Sequence, residues 1–253
     1  MLRALRHLPA AALDLLLPRH CPVSGRPLLA EEPGPVAPEV LRAVVVAGRD
    51  YCTRCGAPQG ENVGQVAQCA SCRDARDGFG TTEICAIGSY SEPLRSMCKA
   101  MKFGGARPMA QPLAAWLVQL LVDRGISTQV DVVVPVPLHV LRRFERGFNQ
   151  AALLARPLAS ALGKPCLDHA LRRVQGTQRQ ARLSALERRK NVENAFVLRP
   201  AFRTRVQAKS VLLVDDVMTT GATFAAAATA LKQAGASQVF GAIAARAALD
   251  DDY

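Results

Sequence analysis

Val211-Leu-Leu-Val-Asp-Asp-Val-Met-Thr-Thr-Gly-Ala-Thr223 places an apolar run, two carboxylates and a small hydroxyl-rich segment within thirteen positions. Val211 to Val214 is continuously apolar with valine at both ends, as a strand buried on both faces of a parallel sheet requires. Thr219 to Thr223 predicts a tight turn. Phe224 to Gln233, rich in alanine and free of Pro and Gly, predicts the helix that follows. A strand that passes through a glycine turn into a helix N-terminus presents unpaired backbone N–H groups and a positive dipole end, an arrangement suited to phosphate. Asp215 and Asp216 are anionic and so unsuited to phosphate, but their oxygens accept hydrogen bonds from vicinal sugar hydroxyls. Together these features point to a ribose 5-phosphate. The alternative is that the two aspartates only cap a helix. No Gly-x-x-x-x-Gly-Lys-Ser/Thr occurs, so a P-loop is excluded.

Around this stretch the pattern alternates between strand and helix. Strands are expected at Glu83 to Tyr90, Asp131 to Val134, Val211 to Asp215 and Gln238 to Ala244. Helices are expected at Pro93 to Phe103, at Pro112 to Asp123 with Trp116 on its apolar side, and from Gly147 to about Leu162 with an interruption at Pro157. Cys166 to Leu171 and Ala195 to Leu198 read as a strand pair around a long polar excursion. Such alternation argues a parallel α/β sheet flanked by helices, with ligands at the carboxyl ends of strands. The turns at 215–223 and Pro135–His139 both fall at such ends.

The eight cysteines divide into one group and several singles. Cys52-x2-Cys55 and Cys69-x2-Cys72 stand thirteen residues apart, with glycines at 56, 60 and 64. Each pair suits a turn that aims two sulfurs at one point, and two such knuckles complete a four-thiolate zinc ribbon. A closed four-cysteine site leaves no open position, so zinc is assigned to folding alone. Disulfides are the alternative, disfavoured by a reducing cytoplasm. Cys21-Pro-Val-Ser24 looks like a further knuckle whose second sulfur has become a hydroxyl, a poor ligand. Cys85, Cys98 and Cys166 read as small buried hydrophobes.

At 253 residues the chain accommodates one α/β domain and a small appendage, expected at 81–253 and 1–80. No apolar run reaches the roughly eighteen residues that cross a bilayer. Residues 1–17 read as an amphipathic docking helix, and the protein is expected in the cytoplasm. The net charge of +11 is uneven: the segment from Arg142 to Lys190 carries twelve Lys/Arg against three Asp/Glu, and the remainder is near balance. Such a segment implies polyanionic ligands, either a pyrophosphate or a nucleic acid backbone.

Val134-Pro-Val-Pro-Leu-His139 leads to Arg142 and then to Arg146-Gly-Phe-Asn-Gln150, a turn whose guanidinium forks suit a second anion. Farther on come Thr177-Gln-x-x-Ala-Arg182-Leu, Arg188-Arg-Lys190-Asn191 and Asn194-Ala-Phe196. With Lys102-Phe103-Gly104, the cysteine ribbon and the 211–223 stretch, this combination resembles the ComF family, competence-associated proteins similar to type I phosphoribosyltransferases. The resemblance covers nearly the whole chain and departs at Ser24, where many relatives carry another Cys. It implies a type I phosphoribosyltransferase-like parallel sheet with a small N-terminal zinc ribbon.

The resemblance further implies that Asp215 and Asp216 hold the ribose hydroxyls of phosphoribosyl pyrophosphate. Thr219, Thr220, Gly221, Ala222 and Thr223 would wrap its 5-phosphate. Lys102 and Arg146 are the candidates for the pyrophosphate, and the 172–194 excursion for a lid. Magnesium would accompany the substrate, because it prefers substrate oxygens plus one or two carboxylates. No residue identifies an acceptor, and the same fold serves without transfer elsewhere. The competing expectation is a non-enzymatic factor that handles single-stranded DNA or nucleotides alongside competence proteins. A third is a scaffold whose ribbon binds a competence partner.

Overall fold

A computed structural model of the chain describes residues 18–32, 34–72, 79–103, 107–138, 147–174 and 195–247. The leading helix expected at 1–17, His139, Arg142, Arg146 and most of the polar excursion lie outside these residues.

The frame is a four-stranded parallel sheet. It comprises β3 (Ile84–Ser89), β4 (Val132–Pro135), β7 (Ser210–Met218) and β8 (Gln238–Arg246), in the order β3-β8-β7-β4. Short strands complete the set: β1 (Tyr51–Cys52) pairs with β2 (Gln65–Val66), and β5 (Leu171–Arg173) pairs antiparallel with β6 (Phe196–Leu198). The helices are α1 (Pro38–Arg42), α2 (Leu94–Phe103), α3 (Ala110–Asp123), α4 (Gln150–Ala161), α5 (Arg203–Val206) and α6 (Ala222–Gln233).

Strand residues alternate between two apolar layers, as the period of two demands. Leu212 and Val214 of β7 face a core built with Met97, Leu113, Leu117, Leu154 and Leu158 of α2, α3 and α4. Val211 and Leu213 face the opposite core, with Phe224, Ala227 and Leu231 of α6 and all four ribbon cysteines. The ribbon is thus packed on the sheet rather than tethered to it. Gly241 makes the second layer close: a Cβ there would come within 2.9 Å of both Ile84 and Phe224, so the absent side chain lets the Phe224 ring lie against β8. Full burial of such a ring is worth roughly 1.5–3 kcal/mol.

Several elements differ from expectation, β5 among them, which begins at Leu171, where the strand expected from Cys166 ends. β7 runs three residues beyond Asp215, because Val217 and Met218 keep their pairing with Ala245 and Arg246 of β8. The helix α4 passes through Pro157 without a break. The missing amide of Pro157 forfeits one helical bond, but Leu154, Ala155, Leu158 and Ala159 are all buried around it and hold the helix in place.

Candidate active site and metal centre

The acidic pair falls at the carboxyl end of β7, the position at which ligands enter open parallel sheets. Asp216 is 9% exposed, and its Oδ2 lies 3.3 Å from Nζ of Lys102, which α2 brings in from the core of Met97 and Met101. Asp215 is partly buried. Burial, then the neighbouring Asp216 carboxylate, pushes its carboxyl well above the usual range, and Lys102 offsets only part of this. The pair also organises its own backbone: the Asp216 amide donates to Asp215 Oδ1 (2.8 Å) and the Val217 amide to Asp216 Oδ1 (2.7 Å). The carboxylates are therefore part of the strand end and do not cap α6.

Immediately beyond, Thr219 and Thr220 form the turn, and Gly221 caps α6 in the left-handed region at φ 77°. The helix begins at Ala222, two residues earlier than the sequence pattern suggests, so Ala222 and Thr223 form its first turn. The Ala222 amide donates to Thr220 Oγ1 at 3.4 Å. The next amides of the helix have no intrahelical carbonyl to bind, as at any helix start. Phe79, 3% exposed, rests on this turn, and a Cβ on Gly221 would stand inside its ring. From beneath, Arg246 ends β8 and donates through Nη1 to the carbonyls of Met218, Thr219 and Ala247.

Phe79, Arg246 and Tyr90 were not singled out from sequence. Tyr90 follows β3; burial raises its phenol, and both Lys102 and Asp216 act on it. An arginine closing the apolar run Ala242 to Ala245 is the signal that could have drawn attention to Arg246. Of the other candidates, Asn149 precedes α4 and donates from Nδ2 to the Val136 carbonyl (3.0 Å), which ties the turn to the end of β4. Arg146 is outside the described residues.

Cys52, Cys55, Cys69 and Cys72 are buried, and their sulfurs all lie within 4.8 Å of one another. The separations are 3.6 Å for Cys52–Cys72, 3.5 Å for Cys55–Cys69 and 3.7 Å for Cys69–Cys72. A disulfide needs about 2.05 Å, whereas a tetrahedron with metal–sulfur bonds of about 2.3 Å has edges of about 3.8 Å. The four cysteines therefore fit one tetrahedral metal ion such as zinc. Burial pushes the Cys55 thiol well up and that of Cys72 to about 11, whereas hydrogen bonds from Cys55 and Cys72 outweigh burial at Cys69 and hold its thiol below the usual range. Cys21 stands apart: the Ser24 amide donates to its sulfur at 3.4 Å, and the side chain packs in the other core.

Comparison with known proteins agrees with this geometry. The phosphoribosyl transferase domain model matches residues 106–248. Competence protein F of Haemophilus influenzae is 33% identical over 192 residues, 75% of this chain and 81% of the relative. DNA utilization protein YhgH of Salmonella typhi is 35% identical over 191 residues, 74% and 80%. Competence protein ComFC of Bacillus subtilis is 28% identical over 198 residues, 73% and 72%.

Proposed function

We propose, for a chain that belongs to the ComF family of phosphoribosyltransferase-like proteins, that the carboxyl end of β7 binds phosphoribosyl pyrophosphate or a related ribose 5-phosphate and that the protein transfers the phosphoribosyl group. One observation carries the reading. An acidic pair whose buried member, Asp216, is held by Lys102 stands shortly before a glycine-capped helix start, so that candidate hydroxyl acceptors and a candidate phosphate cradle share one strand–turn–helix unit. Asp215 and Asp216 accept the ribose 2′ and 3′ hydroxyls. Thr219 to Thr223 hold the 5-phosphate through backbone amides and hydroxyls. Lys102 and Arg146 meet the pyrophosphate. Displacement at the anomeric carbon develops positive charge on the sugar while pyrophosphate leaves, so positioning and electrostatics supply most of the catalysis. Magnesium, bound with the substrate, would neutralise pyrophosphate oxygens.

In this reading residues 1–80 form a ribbon unit whose zinc serves folding, and residues 81–253 form the ligand-binding unit. We place the protein in the cytoplasm, in a role tied to competence and DNA use, as the names of its relatives suggest. Among the described residues no helix is long and apolar enough to cross a membrane.

The test is calorimetric titration of phosphoribosyl pyrophosphate with magnesium into wild type and an Asp215→Asn/Asp216→Asn variant. Binding lost in the variant supports the pocket, and an acceptor screen for pyrophosphate release then tests transfer. A folded, metal-loaded wild type that binds nothing refutes the reading. A second reading, a non-enzymatic factor for single-stranded DNA, is favoured by the charge gathered between Arg142 and Lys190. It requires affinity that falls steeply with salt, whereas the ribose-phosphate pocket requires magnesium.

A further inference from the structure

Arg246 closes β8 between two neighbours, paired with Ser89 of β3 on one side and Met218 of β7 on the other. The Tyr90 amide donates to its carbonyl at 2.9 Å and the Ala247 amide to that of Met218 at 3.0 Å, so the residue is fixed where three strands end. It is 4% exposed. A guanidinium is permanently charged, and a buried charge is costly unless it is paired. Arg124, whose side chain is 5% exposed, lies 3.6 Å from the Glu83 carboxylate. Arg246 has no such partner among the described residues, and its Nε is buried without an acceptor.

What it holds instead are carbonyls of the turn. Nη1 donates to the Met218 carbonyl at 3.0 Å, to that of Thr219, and to that of Ala247 at 2.5 Å. These dipoles offset part of the cost of burial but leave the net charge in place. In a trans peptide the carbonyl and the amide that follows it point in opposite directions, and neither the 218–219 nor the 219–220 bond is cis. Holding the carbonyls of Met218 and Thr219 therefore turns the amides of Thr219 and Thr220 away from the guanidinium. Among the described residues neither amide donates to a backbone carbonyl. The turn thus keeps two idle donors on one side and a buried cation on the other.

We propose that Arg246 is a positioning and specificity-determining residue of the 5-phosphate site: it aims the Thr219 and Thr220 amides and supplies the charge that selects a doubly charged ester over a singly charged one. The inference rests on the ribose-phosphate reading of this turn and deepens it. Arg246 touches no ligand. It acts through the two peptides, and its charge is felt across them because the intervening medium is protein rather than water. A phosphate monoester carries about two negative charges above its second ionisation at a pKa of about 6, whereas a sulfate monoester of the same shape carries a single one. Both accept hydrogen bonds from the amides, so only the charge beneath the turn separates them.

The experiment titrates ribose 5-phosphate and ribose 5-sulfate calorimetrically, at one pH of about 7.5 where the phosphate is doubly ionised, into the full-length, metal-loaded protein. Wild type is compared with Arg246→Met and Arg246→Lys, and thermal melts establish that each is folded. Wild type is expected to prefer the phosphate. Arg246→Met should lose at least about tenfold in affinity for the phosphate and much less for the sulfate, so that the preference collapses. Arg246→Lys keeps the charge in a compact group with fewer donors and should restore part of the preference. A residue that merely shapes the turn weakens both esters equally; an unchanged preference in Arg246→Met therefore overturns the proposal, as does unchanged affinity for the phosphate. Should Arg246→Met not fold, Arg246→Gln replaces it, and wild type still decides, since equal affinity for the two esters also overturns the proposal. Wild type that binds neither ester refutes the ribose-phosphate reading itself, and the inference falls with it.

Discussion

Lys102 Nζ stands 3.3 Å from Asp216 Oδ2, and the two side chains are only 9% and 13% exposed. The lysine thus neutralises one member of an acidic pair that would otherwise repel itself at the end of β7. A pyrophosphate entering the site would draw on the same ammonium group, so ligand binding and the ion pair are linked through one charge.

Lys102→Met should therefore be costly, because removing one partner of a buried pair leaves an uncompensated charge, at about 3–5 kcal/mol. Adding Asp216→Asn to it should restore much of the lost stability without restoring ligand affinity. Denaturant melts of the two single variants and the double variant measure this coupling. Additive effects would show that the pair contributes nothing.

The raised carboxyl of Asp215 carries a definite sign. Its folded-state pKa lies above the unfolded value, so the native state binds more protons between the two, and stability falls as pH rises through that window. Asp215→Asn should remove this fall and raise Tm near neutral pH, as thermal melts across that window would show. The same variant should lose affinity for phosphoribosyl pyrophosphate. In wild type that affinity should rise with pH as Asp215 ionises.

Gly221→Ala should fail twice, through its backbone at φ 77° and through the Phe79 ring that occupies the space of the new methyl. A destabilisation above about 1 kcal/mol is expected, with loss of ribose-phosphate binding. Phe79→Ala costs about 3–5 kcal/mol on its own, but should relieve the steric part of the Gly221→Ala defect. Calorimetric melts of the three variants separate the two causes.

Metal analysis of purified protein should give one zinc per chain. Chelation, or Cys55→Ser, should lower Tm by more than a surface change would, because the cysteines belong to the same core as Phe224 and Leu231. Phosphoribosyl pyrophosphate affinity should fall as well, since Phe79 joins the ribbon side of the chain to the turn at Gly221. Intact binding after complete zinc removal would separate the two units.

What the sequence reveals here is what is local. Val211 to Val214, the acidic pair and the glycine turn follow one another along the chain, so their burial pattern and turn chemistry can be read without the fold. The cysteine knuckles are legible for the same reason, each being a four-residue turn. The partners of these groups are not local. The family resemblance makes Lys102 a pyrophosphate candidate, but only the packing of α2 brings it against Asp216. Arg246 meets Met218 and Thr219 only because β8 runs parallel to β7 in one register. Phe79 reaches Gly221 across the sheet, and no spacing along the chain encodes that contact.

The outer edge of β3 is occupied by the segments that precede it: the Ile84 amide donates to the Thr53 carbonyl, and the Ala47 amide to the Ile87 carbonyl. An edge strand with open backbone groups is a template on which another chain can add. The ribbon segment thus also guards against polymerisation. Removing residues 1–80 would leave an apolar edge, Ile84 to Ile87, with nothing to cover it, and the shortened protein should self-associate even where its sheet still folds.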